Sequence, residues 1–155
     1  MTRFTASNQS AATLKSSRDV IWDALTDPTL LPKLTPYLNR IDVDGDHWTW
    51  HVTKVPVLGK NIGTTFTEVM SLDPKTRIRF GPDSAKTDEQ TQVEGEYHLE
   101  DRSDGGTRVS IDIEVNVELP FPRAMRRPVE GAIKTVMGGM GRVFARNLLK
   151  HLGER

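Results

Sequence analysis

The chain has 155 residues, a length that suits one domain around a single core. Lysine plus arginine and aspartate plus glutamate each number 21, so no global field draws in nucleic acid or an anionic membrane. There is no cysteine, which excludes disulfides, thiolate zinc sites and cysteine nucleophiles.

The opening MTRFTASNQS lacks the apolar run of a signal peptide, and no stretch approaches the roughly 20 apolar residues of a membrane span. A cytoplasmic protein without stable membrane insertion is expected. Asn8-Gln9-Ser10 matches a glycosylation sequon, but a cytosolic chain does not meet that machinery.

Residues 4 to 14, rich in Thr, Ser and Ala with weak alternation, predict a first strand. Ser16 or Ser17 then offers an N-cap to a short amphipathic helix, with Ile21, Ala24 and Leu25 on one side and Asp19 in the first turn. Asp27-Pro28 should end that helix. Leu30, Leu31, Leu34 and Leu38 follow, interrupted by Pro32 and Pro36, which leaves a broken second helix acting as a lid or bridge. From residue 40 the period becomes two. Ile41 and Val43 lead into Asp44-Gly45-Asp46, after which Trp48, Trp50 and Val52 alternate with His47, Thr49 and His51, the pattern of a hairpin.

Alternating runs recur at 64 to 70, 77 to 80, 91 to 99 and 108 to 119, separated by Asp73-Pro74, Gly81-Pro82-Asp83 and Asp104-Gly105-Gly106. The last run is the plainest, with Val109, Ile111, Ile113, Val115, Val117 and Leu119 on one face and polar residues on the other. After Pro120-Phe121-Pro122, a stripe of Val129, Ile133, Val136, Met140, Val143, Phe144, Leu148 and Leu152 has helical spacing. This helix should cover the apolar face of an antiparallel meander.

The order strand, two short helices, meander and long C-terminal helix resembles the helix-grip fold of the START and Bet v 1-like superfamily, often called SRPBCC, over nearly the whole chain. The most specific segment is Ser17-Arg18-Asp19-Val20-Ile21-Trp22-Asp23-Ala24-Leu25-Thr26-Asp27-Pro28, similar to the family's opening helix. Gly63-Thr64-Thr65-Phe66 is similar to its glycine-led cavity strand. The resemblance implies one α+β domain over residues 1–155, with a curved sheet of six to seven strands around the long helix. It implies a cavity for a small hydrophobic molecule such as a lipid, quinone or polyketide. The sequence looks most like the bacterial branch labelled polyketide cyclase/dehydrase. No cofactor or metal is implied, and a monomer or homodimer is expected.

If the large apolar residues of each strand face inward, Trp48, Trp50, Phe66, Met70, Ile78, Phe80, Val93, Tyr97, Leu99, Val109, Ile111, Ile113 and Val115 line the concave surface, with Val136, Met137 and Met140 opposite on the helix. A simply filled core fits the same pattern. Gly63 and Gly95 on or beside strands, and Gly138, Gly139 and Gly141 on the helix, point towards spare volume or adaptability. Close packing of helix on strand is the plainer reading of those glycines.

Glu68 shares parity with Phe66 and Met70, so the alternation that buries them turns its carboxylate inward. An unpaired carboxylate there would have a raised pKa and could act as a general base or hold a polar ligand group. A salt bridge or a bulge would remove the anomaly. Tyr97 is the second candidate, as a hydrogen-bond or proton donor to a carbonyl.

His47 and His51 face away from the tryptophans without a metal-completing carboxylate set. His98 faces outward, and His151 lies in the last helical turn. The segment 56–63 lacks the order of a phosphate loop and reads as a mobile gate. Arg123, Arg126, Arg127, Arg142, Arg146 and Lys150 read as a solvated helix face or, alternatively, a basic rim. Three functions remain open: a binding or transport module, a cyclase/dehydrase-type enzyme using Glu68 or Tyr97, and a protein-interaction module.

Overall fold

The computed structural model describes residues 1–154. In chain order the elements are β1 (Thr2–Leu14), α1 (Arg18–Leu25), α2 (Leu31–Leu34), β2 (Leu38–Asp44), β3 (His47–Val57), β4 (Lys60–Asp73), β5 (Arg77–Pro82), β6 (Thr91–Asp101), β7 (Thr107–Leu119) and α3 (Arg126–His151). A single 3-10 turn at Arg123–Met125 leads into α3.

The seven strands form one sheet in the order β1-β7-β6-β5-β4-β3-β2, and every neighbouring pair is antiparallel. The sequence-distant pair is β1 with β7, in unbroken register from Thr2 opposite Leu119 to Leu14 opposite Thr107. That pairing carries the apolar face of β7 up to the edge strand.

β5 is short. It pairs with β4 only at 68–73 and with β6 only at 95–98, so the first halves of β4 and β6 have no strand between them. Side chains bridge the gap. The Thr64 and Thr91 hydroxyls lie 2.6 Å apart, and the Glu89 carboxylate accepts from Thr67 N at 2.9 Å and Thr67 Oγ1 at 2.8 Å.

The expected gate at 56–63 is instead continuous β structure. Val57 opposes Lys60 across a two-residue turn, Leu58-Gly59, with φ of 46° and 82°, the positive pair that tight hairpins require. Pro56 lies beyond the last β2 partner of β3, on a free edge where a missing N–H is tolerated. Val57 is buried against Val129 and Ile133 of the helix.

α1 begins after Ser17, whose side chain makes no capping bond. The start of the helix is instead pinned from the far end of the chain: the Glu154 carboxylate accepts from Lys15 N at 2.6 Å, Ser16 N at 3.0 Å and the Ser16 hydroxyl. Those bonds outweigh the opposing effect of burial and hold the Glu154 carboxyl below the usual range.

α3, at 26 residues, spans roughly 39 Å. Its fully buried residues are Val129, Ile133 and Leu148. Val136, Met137, Met140 and Phe144 lie between them on the sheet-facing side and stay only partly buried. The core is correspondingly in two pieces. One gathers Phe4, Val117, Leu119 and Phe121 around Val129 and Ile133; the other gathers Ile21, Leu25, Trp48, Ile78 and Leu99 around Leu148. Leu99, expected on the concave lining, is 1% exposed inside that second cluster, with Val109 packed against it.

Candidate functional site

Between the two core clusters, under the middle of α3, lies a cavity of about 320 Å³. That is within the range of pockets that enclose small molecules, roughly 300 to 1,000 Å³. Strand alternation turns Trp48 and Trp50 of β3, Phe66, Glu68 and Met70 of β4, Phe80 of β5, Tyr97 of β6, and Ile111 and Ile113 of β7 onto its wall. Val136, Met137 and Met140 face them from α3. The aromatic residues are ordered against one another, with Trp50 and Phe66 stacked at 6.2 Å between centroids and Phe80 tilted against Tyr97 at 6.4 Å.

Glu68 is 3% exposed and belongs to none of the ion pairs among the described residues. Burial raises its pKa from 4.5 to about 8, against a smaller opposing pull from the Trp50 indole N–H. The indole nitrogen is buried near the carboxyl without completing a hydrogen bond to it, and it has no other partner among the described residues. At neutral pH Glu68 is therefore mainly the uncharged acid. Burial also pushes the Tyr97 phenol up, with the Glu68 carboxylate adding to the effect once it ionises, so the phenol keeps its proton.

Several wall residues escaped the sequence reading. Val55, Val57 and Ile62 of the β3–β4 hairpin close one end, Phe144 contributes from α3, and Asn8 and Ser10 come from β1. Their parity with the buried Phe4 and Ala6 was the available signal for Asn8 and Ser10. Ser10 and Gly141 are the two wall residues that are also exposed. They place the mouth between the edge strand β1 and the middle of α3, away from the hairpin where a gate was expected.

The glycines divide by role. A Cβ at Gly141 would meet nothing within 4 Å, and at Gly138 or Gly139 only the Arg142 guanidinium, so the helix glycines are not packed against a strand. A Cβ at Gly95 would sit 2.0 Å from the Asp112 carbonyl oxygen. That glycine admits a close backbone approach between β6 and β7 and does not enlarge the cavity.

The histidines lie outside the wall. His51 Nε2 pairs with Asp42 at 2.7 Å, His47 with Asp46 and Asp83, and His98 with Glu100. No cluster of metal-ligating side chains occurs among the described residues. Arg126 is engaged with the Arg3 carbonyl at 3.1 Å, with Glu130 at 3.2 Å and with the Phe4 ring. No helix of the described residues is long and apolar enough to cross a membrane.

A curved antiparallel sheet closed by one long helix over an apolar cavity defines the helix-grip fold. The chain belongs to the family described as polyketide cyclase / dehydrase and lipid transport, whose model matches residues 1–152. The solved structures that share the fold include the following three. A START superfamily protein from Mycobacterium smegmatis superposes with a TM-score of 0.69 at 16% identity, covering 94% of this chain and 95% of that one. The Zhui aromatase/cyclase from Streptomyces sp. R1128 gives 0.64 at 14% identity, again covering 94% and 95%. TTHA0849 from Thermus thermophilus gives 0.69 at 15% identity, covering 94% and 98%. No curated protein matches the sequence.

Proposed function

We propose that the whole chain works as one domain that binds a small hydrophobic molecule, of lipid, quinone or polyketide type, in the cavity between sheet and α3. The observation that supports this reading most is the interrupted burial of the helix. Val136, Met137, Met140 and Phe144 sit on the face that should be packed, yet they border about 320 Å³ of open volume. Protein interiors are otherwise filled to crystal-like density. Apolar burial against Trp48, Trp50, Phe66, Met70, Phe80, Ile111 and Ile113 would supply the affinity.

Native mass spectrometry of protein purified without denaturation, then solvent extraction and small-molecule mass spectrometry, tests it. A stoichiometric apolar adduct, or saturable uptake of the neutral dye 1-aminoanthracene displaced by such a molecule, is the expected result. Absence of both would refute the reading.

A second reading is favoured by Glu68 alone. A carboxyl with a pKa near 8 in an apolar cavity is poised for general acid–base work on a bound carbonyl compound. In a cyclase/dehydrase-type reaction it would deliver its proton to a carbonyl or departing hydroxyl oxygen, with the Tyr97 phenol as a neighbouring donor. Glu68→Gln separates the two readings. Turnover of a poly-β-keto substrate that is lost in Glu68→Gln with binding retained marks an enzyme; binding in both proteins without any measurable turnover in the parent marks a carrier.

A further inference from the structure

The wall of the cavity is unusual in its charge as well as its apolarity. Among the described residues no Lys, Arg or His contributes to it. Its polar members are Asn8, Ser10, Thr35, Thr64, Thr91, Tyr97 and the unpartnered indole N–H of Trp50, all uncharged, together with Glu68. The Thr64 and Thr91 hydroxyls are engaged with each other, and Asn8 and Ser10 lie on the strand that borders the mouth. Glu68, at 3% exposure, is buried as deeply as Thr91, whose hydroxyl is already engaged, and it has no cationic partner among the described residues.

An anion carried into such a cavity would lose its hydration and gain no counter-charge, the situation in which burial is most costly. It would also lie against an acidic group. A carbonyl or hydroxyl oxygen meets the opposite situation. A neutral carboxyl both donates and accepts a hydrogen bond, and an uncharged oxygen gives it a partner inside an otherwise apolar enclosure.

We propose that the cavity selects uncharged molecules that bring a carbonyl or hydroxyl group to Glu68, and that it rejects carboxylates and phosphates as buried groups. This rests on the ligand-binding reading and narrows it: ketones, quinones, phenols and alcohols fit, whereas free acids of the same carbon skeleton do not. The raised pKa of Glu68 supports the assignment, because it keeps the donor proton in place at neutral pH.

Three compact probes test the selection: naphthalene, 2-acetonaphthone and 2-naphthoate, titrated at pH 7 against the full chain with tryptophan quenching as the readout. Trp48 and Trp50 lie on the wall and report binding there, with Trp22 as a background emitter outside it. The ketone should bind best and the carboxylate at least about tenfold more weakly than the ketone. In Glu68→Leu the ketone should lose roughly five- to tenfold in affinity, the worth of one buried hydrogen bond, while naphthalene is unaffected. Glu68→Gln, which keeps a neutral donor, should retain most of the ketone affinity.

Binding of 2-naphthoate as tight as the ketone, or ketone affinity unchanged in Glu68→Leu, would overturn the proposal while leaving the cavity a binding site. Failure of all three probes to bind the parent protein would remove the ligand-binding reading itself, and this selection with it.

Discussion

Replacing Glu68 by glutamine should stabilise the protein, and by an amount that grows with pH. The folded state raises the Glu68 pKa from 4.5 to about 8. Below the unfolded value both states hold the proton and the acid costs nothing electrostatically. Between the two values the unfolded chain releases its proton while the folded chain retains it, so stability falls as pH rises. At about 1.4 kcal/mol per unit the full loss is on the order of 5 kcal/mol, complete above the folded pKa, with roughly 3 kcal/mol already lost at pH 7. Glutamine has the same shape and no ionisation. Urea unfolding of both proteins from pH 4 to pH 9 would measure the difference directly, with other titrating groups cancelling between them. The curves should nearly coincide at pH 4 and separate in favour of Glu68→Gln by several kcal/mol at pH 9. Parallel curves across the range would show that Glu68 is not held as a buried neutral acid, and would refute both its proposed role and the charge selection built on it.

Two further substitutions probe the frame around the cavity. Gly95→Ala places a methyl group 2.0 Å from the Asp112 carbonyl oxygen; because the obstacle is backbone, a loss of about 2 to 4 kcal/mol is expected in urea unfolding, and a near-neutral result would mean that β6 and β7 can separate there. Gly141→Trp has open space around its Cβ, so stability should change little, while stopped-flow association of 1-aminoanthracene slows by about tenfold if the mouth lies between β1 and α3.

What could be read from the sequence depended on local periodicity staying unbroken. The alternation of Phe66, Glu68 and Met70 gave the correct face for the carboxylate because the register of β4 against β3 is continuous from Thr64 to Val69. The irregularities in that region fall at Leu38/Arg40 and Val52/Val55, one strand away or beyond the last tryptophan. Had either fallen within β4, every inward assignment after it would have reversed. The helix-grip order was legible for the same reason: the period of two through residue 119 and the helical stripe after it are each set by their own segment.

The mouth was not legible, because it depends on how an edge strand and a helix more than a hundred residues apart approach each other. Asn8 and Ser10 carried a local signal, polar residues on the face that buries Phe4 and Ala6, but nothing local shows that α3 passes them at Gly141. Gly95 and the hairpin at Leu58-Gly59 show the same limit. A glycine that admits a neighbouring strand and one that empties a cavity look alike until the neighbour is placed.

The void and the buried acid are two costs in one place, and their coincidence argues that neither is incidental. Left dry, a cavity of about 320 Å³ would cost, at roughly 24 cal/mol per Å³, on the order of 8 kcal/mol relative to a filled core, comparable with the whole stability of an ordinary domain. Water can occupy the polar spots beside Glu68 and, separately, beside Asn8 and Ser10, but it gains little against Trp50, Phe66, Met140 and Phe144. A single molecule that is apolar over most of its surface and uncharged at one oxygen relieves both costs at once. It restores dispersion contacts to the half-buried face of α3 and gives the Glu68 carboxyl a hydrogen-bond partner without introducing a second charge.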